Sequence, residues 1–271
     1  MTDIAFVLLT NFAVLMGAMI LLWLISIPLK DVSFIDSFWA LGFVITALVT
    51  FAITPDGDPQ RRLLLLGVTA VWGLRLGGYI FWRWRKEGPD KRYVALLSKA
   101  PGNVHLFSLT KVFLLQGVLL WLVSLPVQLG QIPAVPAGLG PLAWIGAGLA
   151  VIGIFFESVG DYQMARFKAD PANAGKVMDR GLWRYTRHPN YFGDACVWWG
   201  LFLVAAETGP GRFSVVGPAM LTFLLVQWSG AALLERRMKR SRPDYEDYIR
   251  RTSAFIPMPP RRSKTSETGS A

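Results

Sequence analysis

The chain is poor in the residues that build metal and redox centres: among its 271 residues there is one cysteine, Cys196, and two histidines, His105 and His188. A lone thiol excludes an intramolecular disulfide and a cysteine-built cluster, and two histidines are too few for a histidine-rich site, so no metal ligands are assigned. Charge is scarce too, at 17% of residues, and acids are outnumbered by bases, 18 to 28, for a net charge of +10. There is no GxGxxG between a strand and a helix, which excludes a Rossmann nucleotide site. No nucleic-acid recognition motif accompanies the positive charge, and the Lys and Arg residues lie in patches between apolar runs, as orientation signals and contacts to anionic membrane lipids do. Nucleic acid is therefore not an expected partner. What the chain has in abundance is apolar residues, 53% of the total with a mean hydropathy of +0.39, gathered in long runs. That is the composition of an integral membrane protein.

The runs predict an all-α, polytopic bundle of about seven transmembrane helices, at about 4–29, 33–53, 63–82, 106–129, 142–160, 191–206 and 213–234. The first is longer than the apolar core of a secretory signal and lacks a basic leader, so it reads as a retained helix. The turn-rich TPDGDPQRR and the uncharged QIPAVPAGLGP read as loops. Alternate loops must share a side of the membrane. Grouping the loops after the first, third and fifth spans with the C-terminal tail, and counting Lys111 near the start of the fourth span with them, collects 24 of the 28 basic residues, leaving Arg61, Arg62 and Arg212 opposite and Arg75 inside a span. The asymmetry predicts an outside N-terminus and a cytoplasmic C-terminus. Residues 1–260 read as one domain, with a disordered polar tail from 261.

The densest gathering of chemistry is GLWRYTRHPNYFGD, Gly181 to Asp194, on the predicted cytoplasmic side. It offers Arg184 and Arg187 to phosphates, Trp183, Tyr185 and Tyr191 for stacking, and His188, Asn190 and Asp194 for directed hydrogen bonds. The plainer reading is a membrane-interface loop with aromatic anchors. Ionisable groups inside or at the ends of spans are the other candidates. Arg75 shares a helix face with Trp72 and Tyr79, a face able to hold an anion, although Arg75 can also snorkel to the interface. Glu157, Asp161 and, if the helix continues, Lys168 share another face, or form a solvated ion-pair cluster. Asp36 is a buried acid or a helix cap. Glycines in the third and fifth spans permit close helix contacts.

DxxW at Asp36–Trp39, WGLRLGGY at Trp72–Tyr79, DYQMARFKADP at Asp161–Pro171, GLWRYTRHPNYFGD and YEDYIRRTSAFIP at Tyr245–Pro257 together resemble the steroid 5-alpha-reductase-like membrane proteins, in particular their bacterial DUF1295 branch. The superfamily also holds the sterol reductases and, more distantly, isoprenylcysteine carboxyl methyltransferase. The resemblance implies an oxidoreductase whose cytoplasmic half, with its motifs in 142–260, encloses NADPH while a steroid-like or other lipid substrate enters from the bilayer. It places Arg75, Tyr79, Asp161, Lys168, Trp183, His188, Asn190 and Asp194 on the cofactor, with Glu235 and Arg237 by looser alignment, while Arg184 and Arg187 are further cations available to its phosphates. The steroid reductases have tyrosine at the position of Trp72 and a Gln-Glu pair without counterpart here, Asp36 being the nearest acid.

The implied chemistry is hydride transfer to an activated carbon-carbon double bond, which also needs a proton donor. Asp36 held neutral by burial, Tyr79 and Tyr191 are the candidates. Two further expectations compete: an S-adenosylmethionine-dependent lipid or isoprenylcysteine-type methyltransferase, which shares RHPxYxG but whose cofactor carries no phosphates, and a lipid-binding membrane protein without turnover.

Overall fold

The computed structural model describes residues 3–228, 235, 238–239, 242 and 244–261. Among them every regular element is helical, and the one β-bridge joins Thr186 to Ser253. In chain order the elements are α1 (Ile4–Leu29), α2 (Ile35–Ile53), α3 (Pro59–Glu87), α4 (Lys91–Leu97), α5 (Val104–Val123), α6 (Leu125–Gly130), α7 (Pro141–Ala169), α8 (Pro189–Ala205), α9 (Gly209–Trp228) and α10 (Tyr245–Arg251). Six of these, α1, α2, α3, α5, α7 and α9, are long and apolar enough to cross a membrane. The protein is a polytopic helical membrane protein. The sixth predicted span, α8, is only 17 residues long, so it falls short of the six others in length.

The pattern of exposure is that of a bundle in lipid. On α1 the buried residues Val7, Asn11, Leu15 and Met19 recur every fourth position, one narrow stripe, while Phe6, Leu9 and Leu21 are more than half exposed. Several donors on the internal faces of α1 and α2 are bonded. Asn11 Nδ2 donates to Thr50 Oγ1 at 2.9 Å, and the hydroxyls of Thr46, Thr50 and Thr54 each donate to the carbonyl four residues back.

Helix ends follow local chemistry. Asp58 caps α3 through the Arg61 amide at 2.9 Å, with Pro59 in the first turn, so this helix starts four residues earlier than the apolar run suggests. Arg61 and Arg62, expected in a loop, are thereby buried in its first turn: Arg61 donates to the carbonyls of Pro133, Pro136 and Gly138, and Arg62 to those of Pro55 and Phe51. The fourth predicted span is interrupted at Ser124 (ψ 0°) because Pro126 cannot donate and its ring opposes the carbonyl four residues back. At the start of α7, Glu207 accepts from the amides of Gly140 and Ala143 at 3.1 and 3.0 Å.

The chain forms two compact units, Met1–Ala147 with Gly200–Pro218, and Gly148–Trp199 with Ala219–Ala271. In the first, α2 and α3 pack backbone to backbone, a methyl group at Gly73 being 2.5 Å from Val44 Cγ2 and 2.8 Å from the Ala40 carbonyl. In the second, α7 and α8 approach at a reciprocal glycine contact: a methyl at Gly153 would lie 2.4 Å from Gly193 O, and one at Gly193 2.5 Å from Gly153 O.

Candidate functional site

Within the second unit the glycine contact fixes what faces what. Gly160 lies against Pro189 and the Asn190 amide, one helical repeat along from the Gly153–Gly193 crossing. The polar residues that interrupt the two apolar helices in this stretch are Glu157 and Asp161 on α7, one turn apart, and Asn190 and Asp194 on α8, one turn apart. Glu157, Asp161 and Asp194 are buried, at 2%, 7% and 8% exposure, and Asn190 is half-buried. The helix does continue through Lys168, whose side chain is exposed at its far end. Three acids buried on two touching helices of a membrane protein face the interior of the bundle and not lipid.

The GLWRYTRHPN stretch adjoins this pair and is clamped by the C-terminal segment. Gly181 adopts φ 58°, the left-handed region open to glycine, and turns the chain into a short 3-10 turn over Gly181–Arg184. Trp183 is turned inward: its Nε1 donates to Gly160 O at 3.1 Å and its carbonyl accepts from the Tyr248 hydroxyl. Gln163 Oε1 accepts from the Leu182 amide at 3.0 Å. The Arg187 amide donates to Ser253 O at 2.9 Å, the Met258 amide to Tyr185 O at 3.0 Å, and Thr186 Oγ1 to Phe255 O at 2.8 Å.

Arg187 and His188 converge on Glu235. Arg187 Nε donates to Glu235 Oε1 at 2.8 Å, and His188 Nε2 lies 2.9 Å from the same oxygen. Arg187 Nη1 also donates to the carbonyls of Thr252 (2.7 Å) and Ile249 (3.2 Å), meeting the unpaired acceptors at the end of α10. His188 is 1% exposed, its ring stacked on Tyr191 with centroids 5.3 Å apart and planes 7° from parallel. Burial by itself raises the Glu235 pKa, but the hydrogen bonds from His188 and Arg187 and their charge outweigh it, and the carboxyl is pulled down to about 2.

The first unit has a polar centre of its own. Asp36 is in the first turn of α2, and its Oδ1 accepts from the Tyr93 hydroxyl at 2.5 Å while Oδ2 pairs with Arg92 at 3.0 Å. Gln116 Nε2 donates to the Tyr93 oxygen at 2.9 Å. Asp90 caps α4 through the Arg92 amide at 2.8 Å and holds the Arg92 side chain, and the Asp90 amide donates to Ser33 Oγ at 3.1 Å. Burial first, and then the Asp36 charge, raise the Tyr93 phenol well above its ordinary pKa, so it keeps its proton.

The structure therefore rearranges several expected roles. Arg187, expected to meet phosphates, is committed to Glu235 and α10, and Trp183, expected to stack on a ligand, is a buried tie to α7. Asp36, expected as a buried proton donor, lies against Tyr93, whose hydroxyl donates to it. Arg75 and Tyr79 are half-buried on α3 in the first unit, with Tyr79 stacked on Trp82 (6.0 Å, 28°) and Trp72 fully buried against Phe43. Arg184 is exposed and lines a cavity with Arg180, Arg251 and Arg261. Arg237 lies outside the described residues. Tyr93 and Gln116 escaped sequence reading because nothing in a basic loop and an apolar span announces that they meet.

Fold and sites together define a polytopic helical membrane protein with a buried, acid-rich polar centre beside a clamped RHPNY loop. The chain belongs to the DUF1295 family, described as a protein of unknown function, whose model matches residues 22–252. It is similar to the uncharacterized protein C594.04c of Schizosaccharomyces pombe, at 22% identity over 260 residues, covering 87% of this chain and 75% of the relative. No solved structure matches it.

Proposed function

We propose that the protein is an NADPH-dependent membrane reductase acting on an activated carbon-carbon double bond of a steroid-like or other lipid, with its cofactor site facing the cytoplasm. The observation that carries this reading is the set of buried acids Glu157, Asp161 and Asp194 with half-buried Asn190, on two helices in backbone contact. The donor set fits the non-phosphate part of a dinucleotide. Carboxylates accept from ribose hydroxyls and from carboxamide or adenine amino groups, and an asparagine amide both donates and accepts. His188, fixed by Glu235 and Tyr191, adds a rigid polar wall. Phosphates fit less well here, since the carboxylates repel them; Lys168, at the far end of α7, is the cation assigned to that role.

NADPH, when bound, supplies hydride. The chain's own tasks are to orient the carboxamide and riboses, to keep water away from the apolar substrate path, and to provide a proton. For the proton the first unit offers Tyr93, whose hydroxyl is oriented by Asp36 and Gln116.

Calorimetric titration of the purified full chain in detergent with NADPH and, separately, with S-adenosylmethionine tests the reading. NADPH is expected to bind, and Asn190→Ala and Lys168→Ala are each expected to weaken it by roughly tenfold or more. Binding of S-adenosylmethionine alone, or NADPH affinity unchanged in both variants, would overturn it.

A further inference from the structure

A cavity of about 420 Å³ opens beside the Gly181–Arg184 turn; its lining includes Arg180, Arg184, Arg251, Arg261 and Asp179, and none of Glu157, Asp161, Asn190 and Asp194. That volume is within the usual range of small-ligand sites. Four arginines against one aspartate make it strongly cationic. Asp179 pairs with Arg251 at 3.4 Å, and Arg251 also pairs with Asp247 at 2.6 Å. Among the described residues, Arg180, Arg184 and Arg261 form no salt bridge.

These residues are gathered by the fold, not by adjacency in sequence. Arg180 and Arg184 flank the glycine turn, and Arg251 and Arg261 are brought to it by the tail. The Arg261 amide donates to Arg251 O at 2.9 Å, while the Met258–Tyr185 and Arg187–Ser253 backbone bonds register the tail against the loop. Holding guanidinium groups of like charge around one hollow is unfavourable unless an anion offsets the repulsion. Each guanidinium has five N–H donors, more in total than the two oxygens of a carboxylate can accept, whereas a terminal phosphate offers three acceptor oxygens and up to two charges.

We propose that this cavity is a phosphomonoester-binding site, formed by Arg180, Arg184, Arg251 and Arg261 and read through the phosphate itself. The phosphate belongs either to a nucleotide or to a lipid headgroup. The site is argued independently of the reductase reading, and either can fail while the other stands.

The experiment uses the full chain in a zwitterionic detergent and two matched probe pairs: adenosine 2′,5′-bisphosphate against adenosine, and dihexanoyl phosphatidic acid against dihexanoyl phosphatidylcholine. Binding is read by calorimetry and melting by intrinsic fluorescence. At least one phosphomonoester is expected to bind where its control does not. Binding of the nucleotide alone assigns the phosphate to a nucleotide, binding of phosphatidic acid alone assigns it to a lipid, and binding of both means that the phosphate suffices. The double variant Arg180→Gln/Arg184→Gln is expected to weaken binding by roughly tenfold to a hundredfold, and Lys176→Gln, an exposed base outside the lining, by less than about twofold. If the double variant melts lower than wild type, Arg261→Gln is read in its place. Absence of binding by both phosphomonoesters, or equal binding by wild type and the variant read, overturns the site. A chain that binds phosphatidic acid here and takes up no NADPH refutes the reductase reading alone.

Discussion

Glu235→Gln removes one charge and little volume, and it isolates the contact by which Arg187 and His188 are held. In the folded chain the carboxyl is pulled from the ordinary 4.5 of a glutamate to about 2, because the hydrogen bonds and charges of His188 and Arg187 outweigh the burial that would raise it. By linkage a displacement of that size is worth roughly 3 kcal/mol. The side chain retains 18% exposure, and screening brings the expected value to on the order of 2 kcal/mol. For a chain of this size that lowers the melting temperature by roughly 4–8 °C. The sign with pH follows from the depressed value. A carboxylate more acidic in the folded state contributes its full stability above the unfolded value of 4.5, and loses it as pH falls through the folded value of about 2. Melting curves of wild type and Glu235→Gln in detergent should therefore be furthest apart at about pH 7 and closer at about pH 3. Coincident curves at neutral pH, or a gap that does not narrow on acidification, would refute the reasoning.

Two other perturbations check separate parts of the structure. Gly193→Ala places a methyl 2.5 Å from Gly153 O, a backbone atom that cannot turn aside, and should destabilise by about 1–3 kcal/mol, while Gly148→Ala, with nothing within 4 Å of the new methyl, should be neutral or slightly stabilising in the same melting assay. Tyr93→Phe removes the hydroxyl held by Asp36 and should cut lipid reduction by about 10²–10⁴ in kcat with NADPH affinity within about threefold of wild type. A fall in NADPH binding equal to the fall in rate would remove Tyr93 as the proton donor.

The helices were legible because apolar runs of some twenty residues have few alternatives, and the glycines of the third and fifth spans were legible as close contacts in part: Gly73 and Gly153 make them, Gly78 and Gly148 do not. Asp161 and Asp194 were legible as acids interrupting apolar helices, and both are buried. What was not legible depends on distant partners. Arg187 and Arg184 lie three residues apart in one basic, aromatic run and look equivalent there, yet Arg187 meets Glu235, 48 residues further on, and the carbonyls of α10, while Arg184 is exposed at the cavity. Likewise Asp36 reads as a cap or as a neutral acid until Tyr93, 57 residues away, is found donating to it.

The fate of Arg187 bears on how much of the chain's positive charge can meet a ligand. A charge count over the RHPNY region treats every arginine as a phosphate partner, but a guanidinium already bonded to a carboxylate and two helix-end carbonyls would have to leave a buried acid behind in order to reach one. The arginines that remain at the turn are the exposed ones, Arg180, Arg184 and Arg261, and attraction among exposed charges is weakened by salt. Phosphate recognition at the cavity should accordingly be salt-sensitive, whereas the mostly buried Arg187–Glu235–His188 contact should be weakened less by salt. The loop's rigidity and its affinity for anions thus come from different arginines of the same motif, and a substitution at one leaves the other in place.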